Sequence, residues 1–172
     1  MQSDKFTALV RNAIGAAQSA ALAANHQKLT AEHVLAALLK DDNMTVKMLL
    51  AKAGADSASL SALLKAGLDK FPQVTGSGAG QLQLDADLAR IFAAVEAEAK
   101  ARHDQFIAVD LLLLAMTKST GSVGKILKKA GVEPAPLGAA IDEMRKGRTA
   151  DSDAAEDSYD ALSRYTSDLT EA

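Results

Sequence analysis

Gly121-Ser122-Val123-Gly124-Lys125-Ile126 is the stretch that comes nearest to a phosphate-binding loop. Such a loop needs a glycine five residues before its Gly-Lys pair, so that backbone N–H groups can cradle phosphates. It also needs a Ser or Thr directly after the pair to reach a magnesium ion. Ser119 and Ile126 occupy those places, so the segment reads as a loop and a helix start. His26 and His33 lie seven apart with His103 distant in sequence, and none has a carboxylate neighbour at metal-ligand spacing. They read as structural or solvent-exposed histidines. No Ser nucleophile elbow and no paired Cys and His are available, and the carboxylates are scattered over polar faces without an acid/base pair. Catalysis is not expected of this chain.

The elements that carry these residues are helical. The chain has 172 residues, enough for one sizeable core and a tail. Hydrophobic residues make up 48% and aromatics only 3%, so the core must be built from Ala and Leu, which are strong helix formers. An all-α fold follows. Nineteen basic and 22 acidic residues are spread along the chain for a net charge of −3, which gives no patch to track a phosphate backbone, so nucleic acid is not an expected partner. Cysteine is absent, which excludes disulfides and thiolate chemistry. Met1 to Lys5 lack the apolar core of a secretory signal, and a cytoplasmic location is expected. The longest apolar run, Phe106 to Met116 broken by Asp110, is too short to span a bilayer.

The chain contains a duplication. A slide of 77 residues lays His26 on His103, Ile14 on Ile91, Leu35 on Leu112, Val46 on Val123 and Leu50 on Leu127. The same slide superposes Lys52-Ala53-Gly54 on Lys129-Ala130-Gly131 without an insertion. Each copy reads as four helices. In the first copy these run from about Asp4 to Ala24 with Asp4 as cap, from a Thr30 cap through Leu39, from Val46 to Ala53 before Gly54, and from Asp56 or Ser57 to Lys70. In the second they run near Asp85 to Arg102, Ala108 to Lys118, Ser122 to Ala130 and Pro134 to Lys146, with Pro134 and Pro136 in the first turn of the last, where a missing N–H is tolerated. The Pro and Gly of Phe71 to Gly80 make it a connecting loop. Arg148 to Ser158 has almost no apolar bulk and reads as disordered or solvated, whereas Tyr159 to Ala172 regains some amphipathicity through Leu162, Tyr165 and Leu169.

These features resemble a known family. The duplicated unit, the connector Phe71-Pro72-Gln73-Val74-Thr75-Gly76-Ser77-Gly78, the stretch Asp104-Gln105-Phe106-Ile107 before a Leu-rich helix, and Ala130-Gly131 are similar to the Clp amino-terminal double repeat. The connector and the ending Tyr165-Thr166-Ser167-Asp168-Leu169-Thr170-Glu171 resemble the ClpB-type Hsp100 disaggregases more specifically. The resemblance implies two tandem four-helix repeats related by pseudo-twofold symmetry over residues 1–147. Repeat 1 is expected at about 4–70, the connector at 71–83 and repeat 2 at about 84–147, with 148–172 a flexible acidic linker and the start of a next module.

The implied function is substrate recognition for an ATP-dependent disaggregase, with weak capture of exposed apolar segments of unfolded or aggregated proteins. Other members of the wider family imply alternatives: adaptor docking, phosphoarginine reading, or a freestanding regulatory protein. ATP and magnesium belong to the parent protein, a homohexamer working with the DnaK system. The isolated domain is expected to be a monomer without a cofactor. By resemblance, Thr7, Asp104 and Asp110, the last where relatives often carry Glu, match polar positions implicated in substrate handling. Phe92 and Leu111 match apolar positions of the groove. As rim charges, Asp104 and Asp110 would favour clients mixing apolar and basic residues.

Overall fold

The computed structural model describes residues 3–41, 44–74 and 80–159. After a 3-10 turn at Ser3–Lys5, the first copy consists of α1 (Ala8–Ala23), β1 (Lys28–Leu29), α2 (Ala31–Lys40), α3 (Met44–Lys52) and α4 (Ser57–Asp69). The second consists of β2 (Gln83–Leu84), α5 (Ala86–Ala101), α6 (Val109–Thr117), α7 (Ser122–Lys129) and α8 (Pro134–Arg145). Both copies thus have the four expected helices. Among the described residues no helix is long and apolar enough to cross a membrane.

The helix starts follow local chemistry. Thr7, Thr30, Asp56 and Asp85 each accept a hydrogen bond from a backbone N–H in the first turn of α1, α2, α4 and α5. The cap of α1 is therefore Thr7 and not Asp4, which sits in the preceding 3-10 turn. Gly54 and Gly131 both adopt φ of 93° after α3 and α7, a left-handed turn that only glycine makes without strain.

The geometry corrects the gapless offset. Left-handed Asn25 (φ 59°) after α1 matches left-handed His103 (φ 65°) after α5, and these residues are 78 apart. Ala8 and Ala86, which open α1 and α5, are also 78 apart, whereas Gly54 and Gly131 are 77 apart. The second copy is therefore one residue shorter than the first between the start of α6 and the end of α7. Ala-rich and Leu-rich helices look alike after a one-residue slide, which is why the sequence hides the slip. In register, Thr30 corresponds to Ala108 and Glu32 to Asp110.

The two copies clasp each other through equivalent contacts. A short parallel bridge pairs Leu29 with Leu84, and its counterpart pairs Phe6 with Ile107. The crossing of α4 with α7 is the counterpart of that of α8 with α3. One continuous apolar cluster runs from Phe6 and Val10 through Leu35, Leu49, Leu111 and Leu112 to Ile141 and Tyr159.

The reading of Arg148 to Ser158 as disordered or solvated holds only in part: Asp151 to Ala154, Asp157 and Ser158 are exposed, but the stretch is anchored to the fold. Ala150, Ala155, Glu156 and Tyr159 are buried, and residues 155–159 are helical. The Ala150 carbonyl accepts the N–H groups of Gln105 (2.9 Å) and Phe106 (3.0 Å), and the Asp153 carbonyl accepts that of Ala8 (2.8 Å). Two Ala residues and a Tyr, spaced to face one way, gave the polar stretch an apolar edge. The connector residues 75–79 and the amphipathic pattern through Leu162, Tyr165 and Leu169 lie outside the described residues.

Candidate functional site

The N-termini of α1 and α6 meet at a buried polar network. The capping position before α6 is Ala108, whose methyl group cannot accept a hydrogen bond from the first turn, unlike its counterpart Thr30. Glu156 supplies the missing acceptor from the other side. One of its carboxylate oxygens accepts the Thr7 hydroxyl (2.6 Å) and the Val109 N–H (2.9 Å). A carboxylate at a helix N-terminus is favoured by the unpaired amides and the helix dipole. Burial raises the Glu156 pKa above the ordinary carboxylate value, and the bonds from Thr7 and Val109 oppose that rise.

Beside it lies a buried ionic triad. Arg145 at the end of α8 grips Asp110 through two parallel bonds, Nε to Oδ2 at 2.6 Å and Nη2 to Oδ1 at 2.9 Å, and its Nη1 donates to both oxygens of Asp104 at 2.9 Å. The Arg145 side chain is 3% exposed, and those of Asp104 and Asp110 are 0%. Remaining acceptor capacity takes the Leu111 N–H at Asp110 (2.7 Å) and the Ala150 N–H at Asp104 (3.0 Å). Burial works against the guanidinium charge, but the hydrogen bonds and charge of Asp110, joined by the bond to Asp104, outweigh it and raise the Arg145 pKa. The guanidinium also lies 5.3 Å from the Tyr159 ring centroid, with Arg148 at 5.1 Å.

Asp104 and Asp110 are thereby joined through Arg145, and Thr7 is held by Glu156, two residues that sequence reasoning missed. The carboxylates are not free rim charges, because Arg145 takes both of them into the interior. Leu111 is 1% exposed and stands within the core. Phe92 keeps 8% exposure, with its ring 5.5 Å from that of Phe6. Arg145 left one signal: it falls four residues after Ile141 and eight after Leu137, on the face of α8 that those residues bury. Glu156 left none beyond its place beside Ala155.

A second buried cluster holds two of the histidines. The His33 Nδ1 accepts the Thr30 N–H (3.1 Å), so Nε2 carries the proton and donates to His26 Nδ1 (2.8 Å). Phe71 covers both rings at 5.5 Å. Burial first and the neighbouring His26 second lower the His33 pKa to about 4. His103 is exposed. Among the described residues no three His, Cys, Asp or Glu side chains are grouped to hold a metal ion. The network positions helix ends and neutralises charge.

Residues 5–153 match the family described as the Clp repeat (R) N-terminal domain. The chain is 43% identical over 173 residues to the chaperone protein ClpB of Rhodopseudomonas palustris, covering 100% of this chain and 20% of that protein. It is likewise 43% identical over 171 residues to ClpB of Rhizobium meliloti, covering 99% and 20%. The chain thus spans about one fifth of the length of the curated relatives it matches. Among solved structures, the crystal structure of the Hsp104 N-terminal domain from Candida albicans superposes with a TM-score of 0.77 at 21% identity, covering 88% of this chain and 99% of that one.

Proposed function

The chain belongs to the Clp repeat N-terminal domain family, and on that premise we propose that it is the substrate-recognition domain of a ClpB-type, ATP-dependent disaggregase. The observation that carries the reading is the 43% identity to ClpB proteins along the whole of this chain. ATP and magnesium act in the rest of the parent protein, a cytoplasmic homohexamer that works with the DnaK system. This domain, whose core extends to Tyr159 and which is monomeric on its own, makes the first contact with unfolded or aggregated polypeptides.

Capture is weak and apolar. A client patch of about 300 Å², at about 25 cal/mol per Å², yields a gross gain of about 7–8 kcal/mol. The association cost removes much of that gain and leaves micromolar or weaker affinity. Such affinity suits a domain that must hand its client on. Phe92, at the edge of the core with Phe6 behind it, supplies apolar contact. Thr7, Asp104, Asp110 and Leu111 act as positioning residues, tying the N-termini of α1 and α6 to Glu156 and to the end of α8. The test is fluorescence anisotropy of a labelled, permanently unfolded client titrated with this chain. Micromolar-range binding that disappears for the same client in its folded form is expected. Equal binding of both forms, or none, would overturn the reading.

A further inference from the structure

The pseudo-twofold relation between the copies makes each exposed cleft comparable with its counterpart, and one pair differs in charge. Where α3 crosses α8, Lys52 and Glu143 form an exposed ion pair at 3.5 Å. The counterpart crossing is α7 with α4, at which Lys129 replaces Lys52 and Ala66 replaces Glu143, both 77 residues away. Asp142, which pairs with Arg102 at 3.1 Å, is likewise replaced by Lys65. The carboxylates of one crossing are missing from the other, while its lysine remains.

A groove of about 300 Å³ lies at this α4–α7 crossing. Leu63, Ala66 and Ile126 give it apolar walls, and Lys70, Lys125 and Lys129 stand exposed around it. Lys128 extends the same basic edge. Among the described residues none of these four lysines makes an ion pair, although the chain as a whole carries a net charge of −3. Glu32, the one carboxylate lining the groove, is 3% exposed and accepts the Ser122 hydroxyl, so it offers the lysines little compensation. The floor is firm: a Cβ on Gly67 would lie 3.4 Å from Ile126 Cδ1, so the two helices already touch there. Lysines in the last turn of α7 are also favoured by its dipole, which fixes their charge at this end of the cleft.

We infer that the α4–α7 groove is a second client-docking surface that takes an acidic, amphipathic polypeptide segment, with a client carboxylate completing the pair that Glu143 completes at the other crossing. This inference rests on the client-capture reading and adds a specificity to it. Apolar side chains of the segment fill the cleft beside Ile126 and Leu63, and Glu or Asp one helical turn away meets Lys129 and Lys125. Charge complementarity of this exposed kind speeds encounter and sets preference more than it adds affinity, and salt screens it.

The experiment is an amide-shift titration of this chain with a short amphipathic Leu/Glu peptide, its Leu/Gln counterpart and its Leu/Lys counterpart. The expected result is shifts over Leu63–Phe71 and Ser122–Lys129 for the Glu peptide, several-fold weaker binding of the Gln peptide, and none of the Lys peptide there. Binding of the Glu peptide should fall roughly tenfold in Lys125→Glu/Lys129→Glu, and several-fold between about 50 and 200 mM salt. Both lysines are exposed, so the double variant should keep the unfolding temperature of the parent chain. Equal binding of Glu and Gln peptides, or no loss in the double variant, would overturn the inference. Capture of an unfolded client at Phe92 is a separate readout. If the parent chain captures an unfolded client at Phe92 but shows no preference for the Glu peptide, the inference alone fails; if it shows neither, the client-capture reading fails with it.

Discussion

Replacing Arg145 with Met keeps the length and apolar stem of the side chain and removes its charge. The structure fixes what is lost: the bidentate grip on Asp110 and the fork onto Asp104, four contacts between 2.6 and 2.9 Å. It also fixes what remains, two carboxylates with no exposed side-chain surface and one backbone N–H each. Removing one partner of a buried charge pair costs about 3–5 kcal/mol, because the desolvation of the survivor is no longer offset. Against a typical domain stability of about 5–15 kcal/mol this is a large fraction. It corresponds to a fall of about 10 °C in Tm for a chain of this size. Thermal unfolding followed by circular dichroism at neutral pH, with urea midpoints as a second measure, reads the effect. Adding Asp110→Asn to Arg145→Met relieves one stranded charge and should recover about 1–2 kcal/mol. A Tm change below about 3 °C for the single variant, or a double variant no more stable than the single, would refute the buried triad.

Other expectations follow from the same geometry. Glu156→Ala leaves the Thr7 hydroxyl and Val109 N–H without their acceptor and should destabilise by about 1–3 kcal/mol, whereas Glu156→Gln keeps an oxygen there and should stay within about 1 kcal/mol of the parent chain in urea unfolding. The Tyr159 hydroxyl is buried with no hydrogen-bond partner among the described residues, so Tyr159→Phe should be neutral or stabilising by up to about 1 kcal/mol; a loss above that in the same assay would reveal a partner. His33 is neutral when folded and its pKa is lowered from 6.5 to about 4. The unfolded chain therefore takes up that proton first, so the contribution is complete above about pH 6.5 and is lost as pH falls toward about 4, by at most about 3 kcal/mol. Glu156, with its pKa raised, works in the opposite sense at acid pH. Tm against pH should be flatter between 6.5 and 4 in His33→Gln, and an unchanged slope would show that His33 does not carry the acid sensitivity.

Much of the helical plan was legible because each boundary carries a chemical mark. Thr30, Asp56 and Asp85 cap, Gly54 and Gly131 stop, and Pro134 opens α8. Register was harder. Ala13 to Ala21 and Leu111 to Leu114 look the same one residue along, and the slip shows in the helix starts at Ala8 and Ala86 and where Asn25 and His103 turn left-handed. The site residues were visible only by resemblance, and their setting was not. Asp104 and Asp110 meet Arg145 across 41 and 35 residues of chain, and Glu156 reaches Thr7 across 149. No local pattern encodes such pairings. The spacing of Arg145 from Ile141 and Leu137 marked a charge on a buried face without saying what neutralises it.

The central claim, that this domain captures unfolded polypeptides through a defined surface, is tested most directly by amide chemical shifts of the chain titrated with an unfolded client. The account predicts saturable shifts that include Phe92 and its neighbours on α5 and the start of α6, with Phe92→Ser losing binding while the Arg145–Asp110 end of the fold keeps its spectrum. A folded chain whose shifts stay unchanged at high client concentration, or change only at residues remote from both Phe92 and the α4–α7 groove, would contradict it.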